Sequence, residues 1–394
     1  MSVSAGRMNG PGRRILRHVW PVAAIGCAVV GIASALPLFH IAANRLVVGT
    51  PVSAAAAFGV PGLSVCGSCL LGSAFLGFGR SRPSALAALA AFSTALVLFA
   101  AGLGTAASDL VAGQPPAARA RLATGAWLGL MVLCGSVAVS IGRTHIRGVG
   151  WLTLISLLAV FSVLYRSGGF DGLSLAVEYR ARAESVHAAL WQHVVLSFAA
   201  VALATVSCVS LYAWRPGRGA IEIVINGLQV VPAVALLGGL VSLTSGLLSV
   251  IPSLRAAGLS ALGPGPAILA VAVYLLLPFW RGLQGALRAS DPSILAAARA
   301  MGLTRRQSLL RIRLPLGTPI LIGALRVASV QSIGLATLGA LVGAGGLGGI
   351  VFEGMAQFAP DLILLGAVPV IGLSLLVERG LSLLEGRARQ RWHG

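Results

Sequence analysis

Long apolar segments, separated by short polar ones, set the strongest limit on how this chain can fold. A helix needs about 20 consecutive apolar residues to cross a bilayer, and such stretches recur along the whole sequence. Because the backbone must satisfy its own hydrogen bonds in hydrocarbon, we expect these segments to be helices. We predict about ten spans, at residues 19–39, 57–78, 84–104, 122–141, 149–165, 194–214, 221–250, 266–287, 319–342 and 362–384.

The composition supports an integral membrane protein of the all-α class. Only 10% of the 394 residues are charged and 57% are hydrophobic, whereas about a quarter of a soluble domain is charged. The 51 glycines favour close helix packing in lipid, where small residues let backbones approach. All the basic residues are arginines, and they are scattered between the spans rather than gathered on one face. This distribution argues against nucleic-acid binding despite the net charge of +19.

The same arginines predict the orientation of the spans, because cytoplasmic loops collect basic residues. With the N-terminus in the cytoplasm, the arginine-rich connections after the second, fourth, sixth and eighth spans all lie inside, together with both chain ends. The opposite orientation would place most arginines outside. We therefore predict a multi-pass protein whose N- and C-termini are cytoplasmic.

The least apolar connection, residues 166–193, divides the predicted spans into two groups of five. Residues 179–191 within it are compatible with an amphipathic surface helix or with a solvated loop. We divide the chain into a cytoplasmic tail (1–18), an N-terminal five-helix region (19–165), an outer connection (166–193), a second five-helix region (194–385) and a cytoplasmic tail (386–394).

Residues 291–315 form the most charged interruption between two spans, and their pattern predicts a helix, a turn and a second helix. The first helix would end at Gly302, and the second, over residues 307–312, would be stopped by Pro315. One arginine at the centre of a bilayer costs roughly 2.5 to 3.5 kcal/mol, so this segment belongs in the cytoplasm. The apolar side of the first helix would carry Ile294, Ala297, Ala298 and Met301, and the arginines are Arg299, Arg305, Arg306, Arg311 and Arg313.

Several kinds of active site are not supported by the sequence. A Walker A motif needs a lysine, and the chain has none, so we expect no ATP hydrolysis by this chain. No grouping of carboxylates, histidines or serines suggests catalysis, so we predict that the protein is not an enzyme. Cys66 and Cys69 form a CxxC motif without a second pair, which predicts no metal site. No carboxylate falls at the middle of a span, which argues against a proton-driven secondary transporter.

Polar and glycine residues inside the spans are the candidates for a solute path and its gate. Such polar groups either line a water-filled path or bond neighbouring helices, and the sequence leaves both interpretations open. A glycine-rich stretch after the ninth span follows an apolar helix rather than a strand, so we interpret it as a flexible outer turn that moves in gating. The path candidates are Asn226, Gln229, Pro232, Ser329, Gln331 and Ser332, and the gating turn contains Gly343, Gly345, Gly346 and Gly348.

The segment 291–315 resembles the EAA loop of the membrane subunits of bacterial ABC importers. The resemblance lies in Ala296, Ala297 and Ala298, then Gly302 after three residues, Ile312 after nine more, and Leu314-Pro315 after one. Ala296 stands where the family usually has glutamate. Within these importers, residues 190–385 are similar to permeases for osmoprotectants such as glycine betaine, choline and carnitine. That similarity includes the stretch 225–238, Leu276-Leu277-Pro278 and the glycine turn. The five N-terminal helices resemble a longer subtype of the same permeases.

The resemblance implies a fold, partners and a location. It implies a five-helix type I importer core over residues 194–385, with a coupling loop at 288–318, in the bacterial inner membrane. The implied partners are a cytoplasmic ATPase that binds ATP and Mg²⁺, an extracytoplasmic solute-binding protein, a second permease subunit and membrane lipid. The chain itself would bind no cofactor. An importer for amino acids or another small solute is an alternative, because it shares the loop pattern, and a secondary transporter is a more distant one.

Overall fold

Eight helices in the described part of the chain are long and apolar enough to cross a membrane, which confirms an all-α membrane protein. The computed structural model describes residues 35–44, 47, 49–59, 61–79, 81–115, 117–214, 217–256 and 258–393. Most of the first predicted span therefore lies outside the described residues. The chain divides into an N-terminal unit, Met1–Ala181, and a C-terminal unit, Arg182–Gly394.

The N-terminal unit packs its helices around one long central helix, α3. The aromatic side chains of Phe92 and Phe99 on α3 are buried at the centre of the core. Ser81 caps the start of α3 by accepting a hydrogen bond from the backbone N–H of Ser84. The helices of this unit are α1 (Ala54–Phe58), α2 (Pro61–Phe78), α3 (Arg82–Val111), α4 (Thr124–Thr144) and α5 (Val149–Arg166).

A small antiparallel sheet in the N-terminal unit was not predicted. Its strands β1 (Pro37–Ala42), β2 (Thr50–Ser53) and β3 (Arg119–Leu122) lie in the order β2-β1-β3. The prediction that residues 37–39 and 122 belong to membrane spans is therefore wrong. Strand β3 pairs with β1 across some 80 residues of intervening chain, with Phe39 opposite Leu122. Such long-range pairing leaves no signal in the local apolar pattern on which the spans were predicted.

The C-terminal unit is built around the close contact of helices α10 and α13. A methyl group at Gly282 on α10 would lie 2.2 Å from the Cβ of Ala324 on α13, so only glycine allows this approach. The helices are α6 (Ser174–Ala213, which begins in the N-terminal unit), α7 (Arg218–Leu228), α8 (Ala233–Val250), α9 (Ser253–Ala256), α10 (Pro264–Arg288), α11 (Pro292–Ala300), α12 (Arg305–Ser308), α13 (Leu314–Ala336), α14 (Leu347–Ala356) and α15 (Pro360–His393).

Three predicted elements differ from the structure by more than the position of their ends. The single span predicted at 221–250 is two helices, α7 and α8, because Pro232 cannot continue a helix begun before it. The span predicted at 57–78 is broken near Gly59, whose φ is +51°, so that α1 and α2 are separate. Within the connection 166–193, the loop interpretation is wrong, since α6 begins at Ser174 and departs from helical geometry at Arg182.

Candidate functional site

The first helix of the segment 291–315, α11, has a strong local start signal. Asp291 precedes it, and its carboxylate accepts hydrogen bonds from the backbone N–H and the hydroxyl of Ser293, at 2.8 and 2.7 Å. Hydrogen bonds from the side chain and then the backbone of Ser293 hold the pKa of Asp291 below its usual value. Asp291 therefore stays ionised at the positive end of the helix.

A turn at Gly302 separates α11 from the second helix, as predicted from the sequence. Gly302 has a φ of +78°, which favours glycine, and no other group lies near the position of a side chain there. Thr304 then starts α12 with a reciprocal capping box. The backbone N–H of Thr304 donates to Oε1 of Gln307 at 2.8 Å, and the backbone N–H of Gln307 donates to the hydroxyl of Thr304 at 3.2 Å.

Pro315 does not end the second helix, contrary to the prediction. The helix continues from Arg305 to Val342, with Pro315 in the first turn of α13. Residues Leu309–Arg313 form a π-helical turn, in which the backbone N–H of Leu314 donates to the carbonyl of Leu309. This wider turn accommodates a proline that can neither donate a hydrogen bond nor fit against the preceding turn of an α-helix.

The segment 291–315 presents large apolar side chains and arginines together on its surface. Ile294, Met301 and Leu310 are 45%, 72% and 51% exposed. Ala298, which was predicted on the same side of the helix as Ile294 and Met301, is buried. Of the other predicted coupling residues, Ala296, Ala297 and Gly302 are exposed, and Ile312, Leu314 and Pro315 are half-buried.

The break between α7 and α8 is held by one tyrosine of α10. The side-chain amide of Gln229 donates to the backbone carbonyl of Tyr274 at 2.9 Å. The hydroxyl of Tyr274 donates in turn to the carbonyl of Val231, immediately before Pro232. Tyr274 thus forms hydrogen bonds with polar groups that the helix break leaves without helical partners. The sequence analysis did not identify this tyrosine.

Asn226 takes part in a polar contact between α7 and α10. Its amide donates to the carbonyl of Glu222 at 2.7 Å and accepts from the guanidinium of Arg281 at 3.1 Å. The carboxylate of Glu222 accepts from Gln284 at 3.1 Å. The bonds from Arg281 and Gln284 join the two helices, which is one of the two roles that the sequence analysis considered for Asn226. Its role in a solute path stays a prediction.

The glycine turn, residues 343–348, is folded tightly against α6. Gly343, Gly345 and Gly346 all have φ near +75°, where glycine is favoured. The backbone N–H of Gly346 donates to Oε1 of Gln192 at 3.1 Å. Gly348 has no room for a side chain, since a methyl group there would lie 2.0 Å from the carbonyl oxygen of Thr337.

A buried histidine of α6 lies beside this turn, and the sequence gave no reason to single it out. His193 is fully buried, and its Nε2 is 2.9 Å from the carbonyl oxygen of Ile333 on α13. One helical turn further along α6, the carbonyl of Ser197 accepts from the buried hydroxyl of Ser332 at 2.9 Å. Of the other path candidates on α13, Ser329 and Gln331 are half-buried. The structure thus joins α6, α13 and the glycine turn through polar bonds.

Three ion pairs in this unit were also missed. Arg326 of α13 pairs with Glu378 of α15 and lies 3.2 Å from Glu385 on the same helix. Arg182 pairs with Glu353 of α14 at 2.8 Å. Charged residues inside apolar segments are rare, and Arg326 was a signal of this kind. Within the described residues, no three side chains of His, Cys, Asp or Glu are grouped as metal ligands would be.

The chain matches two protein families, one in each half. Residues 18–176 match the family described as "ABC transporter permease YehY, N-terminal domain". Residues 197–390 match "Binding-protein-dependent transport system inner membrane component".

Similar curated proteins are permeases for osmoprotectants. The carnitine transport permease protein OpuCB of Listeria monocytogenes is 35% identical over 201 residues, covering 50% of this chain and 85% of the relative. The choline transport system permease protein OpuBB of Bacillus subtilis is 28% identical, with 50% and 84% covered. The osmoprotectant import permease protein OsmW of Salmonella typhimurium is 33% identical, with 34% and 66% covered.

Among solved structures, a chain of the MetNI methionine ABC transporter, in an inward-facing conformation, matches 53% of this chain and 98% of its own length. The identity is 21% and the TM-score is 0.45. The apolar helices, the match of residues 197–390 to a transport-system membrane component and the 35% identity to a carnitine permease over 85% of its length lead to one conclusion: this chain belongs to the osmoprotectant family of ABC importer permeases, multi-pass inner-membrane subunits that work with an ATPase and a second permease subunit.

Proposed function

We propose that this permease forms the membrane path for a small osmoprotectant with a quaternary ammonium group, such as glycine betaine, choline or carnitine. The proposal is supported by the names of the relatives, which transport carnitine, choline and glycine betaine. A second permease subunit would complete the path, and an extracytoplasmic solute-binding protein would deliver the solute. Asn226, Gln229, Pro232, Ser329, Gln331 and Ser332 are the proposed polar residues of the path, and Gly343, Gly345, Gly346 and Gly348 form its gate.

The segment 291–315 is the proposed contact with the ATPase, which would bind ATP and Mg²⁺. The observation that carries this proposal is the exposure of Met301, which directly follows α11, and of Leu310, in the π-helical turn that directly follows α12. Apolar side chains surrounded by polar residues on an exposed surface mark a protein interface. From Arg305 onward the chain is helical without interruption to Val342. A displacement of this segment by the ATPase would therefore be transmitted into the membrane as the movement of one rigid element.

The coupling proposal is tested by comparing substitutions at two glycines. Gly302 and Gly258 both have positive φ, +78° and +90°, and open space around the Cβ position. Aspartate therefore introduces similar backbone strain at both, but only Gly302 lies in the coupling segment. Gly302→Asp should abolish uptake and ATPase co-purification, and Gly258→Asp should leave both largely intact. Normal uptake by Gly302→Asp, or equal losses in both variants, would overturn the proposal.

The solute is tested in vesicles that contain the assembled transporter and its binding protein. ATP-dependent uptake of radiolabelled glycine betaine, choline and carnitine is compared with uptake of methionine and proline. Accumulation of one of the quaternary ammonium solutes supports the proposal. Accumulation of amino acids alone would replace it with the alternative importer, and uptake without any ATPase would indicate a secondary transporter.

The orientation, with both termini in the cytoplasm, is tested with single cysteines and a membrane-impermeant maleimide. Arg306 and Glu184 are both exposed in the structure, so local burial does not prevent their labelling. In cells whose outer membrane is permeabilised and whose inner membrane is intact, Glu184→Cys should react. Arg306→Cys should react only after lysis. The reverse pattern would invert the proposed topology.

A further inference from the structure

The N-terminal unit contains an apolar cavity whose lining includes none of the proposed path or gate residues. Its volume is about 210 Å³, and its walls come from β1, α1, α2, α3 and α4. Phe58 and Phe99 form one wall, with their rings edge to face at 5.5 Å. Cys66, Leu133 and Ser136 also line the cavity. The cavity lies wholly within one folded unit.

Water is a poor occupant for this cavity. Its lining is almost entirely apolar, and the hydroxyl of Ser136 already donates to the carbonyl of Val132 at 2.7 Å. A buried water needs two to four polar partners, and apolar cavities of about 150 Å³ stay dry and take up apolar molecules instead. The cavity described here is larger than that, so an apolar guest would recover packing contacts that its walls otherwise lack.

The cavity opens on an exposed apolar surface of α2, which would face lipid in a membrane. Leu63 lines it and is also 69% exposed, and Leu70 and Leu71 continue the same exposed apolar surface of α2. The sheet β2-β1-β3 lies at one end, where Leu38 of β1 borders the cavity. Lipid-exposed sheet edges do not occur within the hydrocarbon core, so the sheet marks the membrane boundary. Cys69 on the cavity wall is eight residues into α2, about 12 Å along the helix at ~1.5 Å per residue.

We propose that this cavity holds one acyl chain of a membrane phospholipid. The headgroup would lie near the sheet, and the chain would enter past Leu63 and pack between Phe99 and Cys66. The shape of the site supports an acyl chain, since the cavity extends from the membrane boundary into the hydrocarbon and opens on its lipid-facing side. The N-terminal unit would thus carry a lipid site that is separate from the solute path.

A photoreactive phosphatidylcholine, with a diazirine near the end of one acyl chain, tests this assignment. The full-length protein in lipid nanodiscs is irradiated, and adducts are located by mass spectrometry. Leu133 and Ser136 are buried in the cavity wall of α4, whereas Met131 on the same helix is 69% exposed. Met131 therefore reports ordinary contact with the bilayer. Adducts at Leu133 and Ser136 with the headgroup retained are expected only if the chain enters the cavity.

Two cysteines provide a matched pair of variants. Cys66→Leu adds volume inside the cavity, and Cys134→Leu makes the same change at an exposed position of α4. Cys66→Leu should remove most of the labelling at Leu133 and Ser136 and leave Met131 unchanged, whereas Cys134→Leu should alter none of the three. Ala55→Leu, at the rim of the cavity, repeats the test if Cys66→Leu does not fold.

Absence of labelling at Leu133 and Ser136 in the native protein would overturn the proposal. So would labelling at these two residues that survives both Cys66→Leu and Ala55→Leu. Labelling of the inner residues by a free fatty acid but not by the phospholipid would also overturn it.

Discussion

The coupling segment, residues 291–315, and the glycine turn, residues 343–348, are both short interruptions in apolar helices, but they are held in different ways. The coupling segment is built from local contacts, such as Asp291 with Ser293 and Thr304 with Gln307. The glycine turn depends on distant partners, since Gln192 bonds it across more than 150 residues of sequence. A locally built segment can move as a unit against a partner, whereas a turn packed against two helices must move with them.

This difference predicts opposite responses to substitution. A change at an exposed position of the coupling segment should impair transport and leave the folded unit stable, because most side chains of this segment are exposed. A change in the glycine turn should reduce stability first, because its neighbours are backbone atoms that cannot move independently.

The largest effect is expected from Gly348→Ala. The added methyl group would lie 2.0 Å from the carbonyl oxygen of Thr337, so α14 must move away from the 3₁₀ helix Thr337–Val342. Overpacking of this kind costs about 1 to 3 kcal/mol, and contact with backbone places Gly348 at the upper end. A clearly lower melting temperature in detergent, measured by differential scanning fluorimetry, would show this cost.

The neighbouring residue provides the control for that substitution. A methyl group at Gly349 would meet no other atom within 4 Å, so Gly349→Ala should melt close to the native protein. Equal melting temperatures for the two variants would show that the turn is looser than its contacts indicate.

The two regions also differ in how far the sequence alone could predict them. The turn at Gly302 was predicted because a glycine within a charged interruption leaves a local signal, and the coupling residues were identified by their resemblance to a family pattern. The membrane class and most spans followed from apolar run length. The sheet in the N-terminal unit, the bond of Tyr274 to Val231 and the burial of His193 were not predicted, because each depends on residues far away in sequence.

Pro315 shows why even a strong local signal can fail. Proline usually ends or kinks a helix. Here the helix continues, because the π-helical turn immediately before Pro315 accommodates a residue that cannot donate a backbone hydrogen bond. Pro232 breaks its helix as expected, where Gln229 and Tyr274 supply alternative bonds. Two prolines with the same intrinsic constraint therefore have different outcomes because their surroundings differ.

A smaller loss of stability is expected from His193→Ala. The substitution removes a buried bond to the carbonyl of Ile333, and an unsatisfied buried polar group costs about 1 to 3 kcal/mol. His187→Ala on the exposed side of the same helix is the matched control and should melt higher than His193→Ala. His193→Gln, which can still donate a hydrogen bond, should recover part of the difference. If all three variants melt alike, the polar link between α6 and α13 contributes little to the stability of the turn.

The smallest effect is expected from Ala296→Glu, which introduces the residue usual in the family at the one coupling position where this chain departs from it. Ala296 is exposed on α11, and an exposed ion pair contributes about 0 to 1 kcal/mol, so affinity for the ATPase should rise by less than about fivefold. Dissociation constants measured at low and high salt would identify the cause, because an ion pair at an exposed interface weakens as salt screens it. Ala300→Glu, on the same exposed helix, should give no salt-dependent gain. A gain for Ala296→Glu alone, lost at high salt, would show that the ATPase still presents a basic partner to this position. Equal affinities for both variants would mean that the contact depends on the apolar side chains of the coupling segment and that a charge at position 296 is dispensable.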